Sequence, residues 1–211
     1  MAWIEKFAYD KSDLVVGTMP RLDLHVKNIL GYKKECFCSP LGFDSHVMKE
    51  RSTAYYPELQ SFFPINKTII GYAGSMGISN NLDSFIEAID ELEGNESLHF
   101  VLVGSGDLRE KYQVQLEGKA NVTFMPRIEP NKVPAFLNEC DALYLSTHDS
   151  EVWDYGQSMN KVVEYMYAAK PIIASYSGFP SMIDEAGAGV FVPANDKSSL
   201  KIELINFSKM T

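Results

Sequence analysis

The residues best placed for chemistry lie in a polar loop, residues 147–158, and in the helical segment that follows it. The first turn of this helix holds Lys161 and no acid, although the helix dipole favours acids at that end. The ammonium group and the free N–H groups of the first turn could bind an anion such as a phosphate, with Ser158 as the predicted N-cap. Glu164 lies three residues beyond Lys161 on the same face, so a solvated Lys161–Glu164 pair is the alternative interpretation.

A second candidate is the loop at residues 74–77, Gly-Ser-Met-Gly, which also precedes a helical segment. Glycine at positions 74 and 77 lets a backbone approach a ligand closely, and the N–H groups of the next helix favour an anion. The spacing is not the dinucleotide GxGxxG pattern and includes no Walker lysine, so an ordinary strand-to-helix turn explains it as well. Gly104, at the end of a later apolar run, has the same two interpretations: its backbone contacts a ligand, or it forms a tight turn.

The elements that must position these loops are visible from residue 67 onward, where short apolar runs alternate with longer amphipathic segments. This alternation predicts an α/β fold with a Rossmann-like, doubly wound parallel sheet of about six strands. Ligands bind such a sheet at the carboxyl ends of the strands, where the strand order reverses. The predicted strands are residues 68–73, 99–104, 122–125, 142–146, 171–175 and 189–192, and the predicted helices are residues 82–92, 108–116, 133–140, 161–169, 181–186 and 199–207.

The first 65 residues do not follow this alternation. The pattern predicts two strands, a helix and a turn, at residues 13–17, 35–39, 21–30 and 40–44, and residues 50–63 show no clear period. Two short strands and one helix cannot close a core, so this part must pack on the large domain or belong to a second, missing domain. We therefore divide the chain into residues 1–65 and residues 66–211.

Composition narrows the classes of partner. The 211 residues contain 19 Lys and Arg against 28 Asp and Glu, a formal net charge of −9, which argues against nucleic acid binding. The three cysteines show no zinc-binding spacing, and no signal-peptide or membrane-spanning run is present in the sequence. These features predict a cytoplasmic protein.

Several of these segments resemble the nucleotide-sugar-binding half of the family 4 glycosyltransferases, which have the GT-B fold. Residues 70–77 with 81–88 resemble the opening strand, glycine loop and helix of that half, and later segments resemble its next three strands. Residues 156–175 are the most specific: Ser-x-Asn-Lys, a Glu-Tyr-Met run and a Lys-Pro turn are similar to bacterial transferases that build surface polysaccharides. The later segments are residues 100–106, 121–127 with 133–137, and 140–146.

The resemblance implies a transferase that moves a sugar from a nucleoside-diphosphate sugar to a glycan or lipid-linked acceptor, with retention of anomeric configuration. It implies no metal or other cofactor. Lys161 and Glu164 would be the catalytic residues, with Lys161 at the diphosphate, Glu164 at the ribose, and Arg127 with Ile128 beside the base. The full predicted donor-binding set is Gly74, Ser75, Met76, Gly77, Gly104, Arg127, Ile128, Ser158, Met159, Asn160, Lys161 and Glu164.

The sequence departs from the family pattern at one acid. Gly156 stands eight positions before Glu164, where the family has a first Glu, and Glu151 or Asp154 could replace it only from a differently folded loop. The first loop also lacks the usual Arg and Lys. Two alternatives therefore stay open: a non-catalytic nucleotide-sugar-binding module, and a sugar-nucleotide epimerase of the same architecture, for which His148 is the only suitable loop histidine.

Residues 13–44 resemble the end of the family's N-terminal domain and the linker into the second domain. The resemblance therefore implies that most of the acceptor-binding domain is absent and that this chain alone is inactive. It also implies that any peripheral contact with the inner face of the membrane is made by the missing half.

Overall fold

The computed structural model describes residues 2–180 and 182–210. Its first part contains two strands, Val15–Gly17 and Cys36–Cys38, which pair in parallel, and a helix whose C-cap is Gly31, with a left-handed φ of 83°. The two predicted strands and the helix between them are confirmed with shorter bounds. Three further helices, α1, α3 and α4, were not predicted. In chain order the elements are α1 (Ala2–Lys11), β1 (Val15–Gly17), α2 (Leu22–Leu30), β2 (Cys36–Cys38), α3 (Ser45–Thr53) and α4 (Pro57–Gln60).

This N-terminal part has a core on only one side of its two-stranded sheet. Val15 packs with Leu22 and Val26 of α2 in a small cluster. On the opposite face Val16 and Phe37, which are register partners, are 58% and 61% exposed. Parallel sheets are normally covered on both faces, so the fold leaves this face open.

The rest of the chain forms a six-stranded, all-parallel sheet in the order β5-β4-β3-β6-β7-β8, and the six strands fall where the sequence predicts them. The strands are β3 (Thr68–Ala73), β4 (Leu98–Val103), β5 (Val122–Met125), β6 (Ala142–Ser146), β7 (Ile172–Ser175) and β8 (Gly189–Val192). The helices are α5 (Asp83–Glu91), α6 (Arg109–Gln115), α7 (Val133–Asn138), α8 (Asn160–Tyr167), α9 (Met182–Glu185) and α10 (Lys197–Ser208). Position 181, the start of one predicted helix, lies outside the described residues. The division of the chain near residue 65 stays a prediction.

Helices cover both faces of the sheet, because the strands carry apolar residues on both. On one face Phe85 of α5 stacks on Tyr144 of β6 with ring centroids 3.8 Å apart, and α6 and α10 complete this layer. On the other face α7, α8 and α9 contribute Phe136, Tyr165 and Ile183, all fully buried. This parallel sheet, covered by helices on both faces, confirms the predicted α/β, Rossmann-like fold.

The strand order reverses between β3 and β6, the two central neighbours. The loops after these strands, residues 74–82 and 147–159, therefore meet at the carboxyl edge of the sheet, where open α/β sheets bind ligands. The N-terminal part lies against the second loop: the Arg21 N–H donates to the Tyr155 carbonyl at 2.9 Å, and the Leu41 N–H donates to Ser158 Oγ at 3.0 Å. Arg21 and Leu41 thus join the N-terminal part to the edge of the sheet that holds the candidate site.

Candidate functional site

A cavity of about 420 Å³ opens at the carboxyl ends of β3, β4 and β5. It is within the size range of nucleotide and small-ligand sites. Half of the predicted donor-binding set lines it: Gly74, Ser75, Gly104, Arg127, Ile128 and Glu164. The remaining lining comes from Ala73, Val103, Ser105, Gly106, Pro130 and Val133. The structure therefore brings Glu164 close to Gly74, which lies 90 positions earlier in the sequence (164 − 74).

The glycines of this cavity are needed because two loops pack directly on each other. A Cβ on Gly104 would lie 1.8 Å from the Gly74 carbonyl oxygen, and one on Gly106 would lie 2.6 Å from the Met76 carbonyl carbon. Both glycines also have positive φ, 145° and 152°. Loop packing, rather than ligand approach alone, thus accounts for Gly104, and the two loops form one continuous wall of the cavity.

Lys161, in the first turn of α8, extends beneath the glycine loop. Its ammonium donates to the Tyr72 hydroxyl at 3.2 Å and to Asn80 Oδ1 at 3.0 Å, and it lies 4.5 Å from the centre of the Tyr72 ring. A Cβ on Gly74 would come within 2.8 Å of the Lys161 Nζ. The lysine is therefore anchored against the Gly74 backbone, which itself lines the cavity, and is not a solvated surface residue.

Burial lowers the pKa of Lys161 to about 8, and the nearby Glu164 carboxylate opposes this shift in part. The group is thus mostly protonated at neutral pH and close to losing its proton. Glu164 lines the cavity itself, one helical turn from Lys161. A cation and a carboxylate are presented together beside the free N–H groups of the first turn of α8.

The predicted N-cap at Ser158 is wrong. The helix α8 begins at Asn160, so the capping position is occupied by Met159, whose side chain has no oxygen to accept a first-turn N–H. The Ser158 hydroxyl instead accepts the N–H of Leu41, 117 residues away in the chain. The Met159 carbonyl accepts the N–H groups of Val162 and Val163, at 3.0 and 3.4 Å. Because no side chain caps the helix, the N–H groups of Asn160 and Lys161 depend on solvent or on a ligand for partners.

Six members of the predicted set do not line the cavity: Lys161, which lies behind the Gly74 backbone, and Met76, Gly77, Ser158, Met159 and Asn160. Met76 is fully buried, and its backbone N–H donates to the Ser105 carbonyl at 2.8 Å, so the geometry gives it no route to a donor. Gly77 follows it in the same loop. Ser158 and Met159 precede α8, and the exposed Asn160 lines a smaller cavity of about 220 Å³ beside the segment Gly42–Asp44.

Gly156 is fixed by packing with the N-terminal part. Its φ is 91°, and a Cβ there would lie 2.8 Å from Pro20 Cδ and 3.3 Å from Phe179 Cδ1. A glutamate at this position therefore cannot fit unless Pro20 moves. Glu151 and Asp154 lie on an exposed 3-10 turn and do not line the cavity, so neither replaces the missing acid in this arrangement.

Two contributors to the site were not predicted. Tyr72 belongs to an apolar strand, which indicates a core residue, and only the fold shows its hydroxyl reaching Lys161. Asn80 follows the glycine loop, where an asparagine suggests a turn. His148, the candidate loop histidine, is exposed and its Nε2 contacts the Ile78 carbonyl, which links the loops after β3 and β6.

No group of three or more potential metal ligands occurs among residues 2–180 and 182–210. In the same described ranges no helix is long and apolar enough to cross a membrane.

The profile of the family described as Glycosyl transferases group 1 matches residues 67–209, so the chain belongs to this family. Among curated proteins it is similar to the putative colanic acid biosynthesis glycosyl transferase WcaI of Escherichia coli (strain K12), with 36% identity over 80 residues. This match covers 37% of the chain and 19% of the E. coli protein.

Solved structures share the fold at low sequence identity. A glycosyltransferase from Rickettsia africae ESF-5 matches with a TM-score of 0.76 and 13% identity, over 97% of this chain and 56% of that one. Anabaena Alr3699/HepE in complex with UDP-glucose matches with a TM-score of 0.65 and 12% identity, over 97% and 57%. The C-terminal domain of the group 1 family protein LpcC from Francisella tularensis gives 0.60 and 18%, over 80% and 88%. The chain thus spans little more than half of the Rickettsia and Anabaena proteins.

Proposed function

We propose that this chain is the donor-binding half of a glycosyltransferase that uses a nucleoside-diphosphate sugar. The observation that carries the proposal is Lys161, held under the glycine loop beside the uncapped start of α8 and the cavity-lining Glu164. The Anabaena neighbour, whose structure contains UDP-glucose, supports a sugar nucleotide as the ligand. The likeness to an E. coli protein named for colanic acid biosynthesis supports a role in bacterial surface polysaccharide synthesis.

In this proposal the protein stabilises the leaving diphosphate. When the bond between the sugar and the diphosphate breaks, negative charge grows on the phosphate oxygens, and fixed donors at that point lower the barrier. Lys161, the N–H groups of Asn160 and Lys161 at the start of α8, and the backbone N–H of Ser75 supply these donors. Glu164 accepts hydrogen bonds from the ribose hydroxyls, and Arg127 with Ile128 borders the base.

The acceptor is bound by a domain that this chain does not contain. The open face of the β1–β2 sheet and the partial coverage of full-length relatives support such a domain. A glycan or lipid-linked acceptor and retention of anomeric configuration are part of the proposal through the family resemblance. The isolated chain is therefore expected to bind the donor nucleotide without completing transfer.

Calorimetric titration with UDP, GDP, uridine and guanosine tests the proposal. One diphosphate should bind, and Lys161→Ala should weaken it about a hundredfold, because a charged hydrogen-bond donor is lost at a site with few cations. The same variant should leave binding of the matching nucleoside unchanged. Lys170→Ala, a lysine at the opposite edge of the sheet, is the matched control. Equal losses for diphosphate and nucleoside would remove the phosphate role from Lys161.

A second candidate, a binding module without catalysis, is favoured by one observation: the packing of Gly156 against Pro20 leaves no room for the family's first acid. Such a module would bind the diphosphate with the same dependence on Lys161. It would differ in the full-length protein, which would bind the sugar nucleotide but release no sugar from it in the presence of acceptor. Among residues 2–180 and 182–210, no contact favours the epimerase alternative, since His148 bonds to the Ile78 carbonyl.

A further inference from the structure

One phenol oxygen connects the lysine to the glycine loop. The Tyr72 hydroxyl lies 2.7 Å from the Ser75 carbonyl oxygen and 3.2 Å from the Lys161 Nζ, and the Tyr72 side chain is fully buried. A Cβ on Gly74 would meet both the Lys161 Nζ at 2.8 Å and the Tyr72 hydroxyl at 3.1 Å. The three groups therefore meet directly below the backbone that lines the cavity.

The chemistry of these groups fixes the direction of both hydrogen bonds. A carbonyl oxygen only accepts and an ammonium only donates, whereas a phenol has one hydrogen and free lone pairs. The single Tyr72 hydrogen must therefore point to Ser75, and its lone pairs must face Lys161. Asn80 Oδ1 accepts a second ammonium hydrogen. Of the three ammonium hydrogens, these contacts use two and leave one without a partner among the described atoms.

We infer that Tyr72 is a positioning residue of the diphosphate site: its hydroxyl holds the Lys161 ammonium in a fixed position below the backbone of the glycine loop. This inference rests on the proposed function and extends it to a residue that contacts no ligand itself. The buried ring below the ammonium adds a cation–π attraction, which a phenylalanine would keep. Tyr72→Phe thus removes the hydroxyl contacts alone.

The groups around Lys161 predict the sign of the effect. Glu164 on the same helix favours the charged lysine and burial opposes it, while Tyr72 on β3 and the uncharged Asn80 accept its hydrogen bonds. Burial holds the pKa of the Tyr72 phenol far above its ordinary value, so it stays a neutral acceptor. Removing an acceptor of the charged form lowers the Lys161 pKa further. The lysine would then be less protonated at neutral pH.

Two measurements test the inference on the chain as it stands. Lys161 is titrated by NMR through its side-chain CH₂ signals, assigned by comparison with Lys161→Ala, and UDP, GDP and their nucleosides are titrated calorimetrically. In Tyr72→Phe the Lys161 midpoint should move to lower pH, and diphosphate affinity at pH 7.5 should fall about tenfold with nucleoside affinity unchanged. Tyr112→Phe is the matched control, since it deletes another buried hydroxyl, one with no hydrogen-bond partner among the described atoms.

The outcomes separate the two proposals. If Tyr72→Phe keeps both the midpoint and the diphosphate affinity while Lys161→Ala loses that affinity, only the inference is overturned. If Lys161→Ala keeps it, or if the unchanged protein binds no diphosphate, the proposed function fails and the inference fails with it. If Tyr72→Phe does not fold, the inference can still be tested by NMR on the protein without substitutions. Binding of the diphosphate should shift the ring signals of Tyr72 and leave those of Tyr112 unchanged. Unshifted Tyr72 signals would overturn the inference.

Discussion

Two cavities lie at opposite edges of the same sheet, and they differ in kind. The cavity at the amino ends of β7 and β8 is the larger, about 570 Å³, and is lined mainly by apolar residues such as Ile172, Ala188 and Phe207. The cavity at the carboxyl ends, about 420 Å³, is formed by loops from three strands and borders the Lys161 network. Of these two cavities, the first has the larger volume. The second cavity is the better candidate for an anionic ligand, because backbone donors, a helix start and a buried cation lie beside it.

The largest expected effect is on folding stability, because an added Cβ clashes with backbone at a glycine of one cavity and meets nothing at a glycine of the other. Gly104→Ala should lower the free energy of unfolding by about 3 kcal/mol, because its Cβ meets the Gly74 carbonyl at 1.8 Å. Gly187→Ala at the apolar cavity should cost only about 1 kcal/mol, since φ is 58° there but nothing lies within 4 Å of the added Cβ. Urea denaturation of both variants measures the difference. Equal costs would mean that the two loops do not support each other as described.

A smaller effect is expected on ligand affinity, which should depend on the glutamate of the carboxyl-edge cavity, Glu164, and not on that of the apolar cavity, Glu203. Glu164→Gln should weaken the nucleoside about tenfold, because the amide is a weaker acceptor for ribose hydroxyls than the carboxylate. It should weaken the diphosphate at least as much, because losing the carboxylate also lowers the Lys161 pKa. Glu203→Gln, at the apolar cavity, is the matched control and should change neither affinity. Calorimetry measures both. A loss confined to the diphosphate would assign Glu164 to the phosphates instead of the ribose.

The smallest expected effect is a pH dependence. Because the Lys161 pKa is lowered to about 8, the group is charged below that pH and neutral above it. Diphosphate affinity should therefore fall about fourfold between pH 7 and pH 8.5, while nucleoside affinity stays level. Lys161→Ala should abolish this dependence. Parallel pH profiles for both ligands would show that another group controls binding.

The strands were predictable because they are continuous apolar runs covered on both faces. Thr68–Ala73 and Ala142–Ser146 match the sequence prediction residue for residue. Helix α1 was not predicted, since Trp3 and Phe7 stay exposed and leave no buried stripe to generate a period. Local periodicity therefore located the domain that has a closed core and missed elements that have none.

Within the candidate site, the sequence identified six of the twelve residues that line the cavity and missed Tyr72 and Asn80, which hold Lys161 in place. Gly74 and Glu164 were found because glycine loops and helix starts are local signals. The role of Tyr72 depends on a partner 89 positions away in sequence (161 − 72), and the capping prediction for Ser158 failed because Leu41 takes its hydroxyl. These contacts are set by tertiary structure, which a local pattern does not encode.

The most direct test is to map the ligand on the protein. UDP and GDP are added in turn to isotopically labelled chain, and backbone amide shifts are followed by NMR. We predict that one diphosphate shifts the signals of Ser75, Gly104, Lys161 and Glu164 and leaves those of Phe207 and Gly187 unchanged. Shifts confined to the apolar cavity, or no shifts with either diphosphate, would contradict the assignment of the nucleotide site to the carboxyl edge of the sheet.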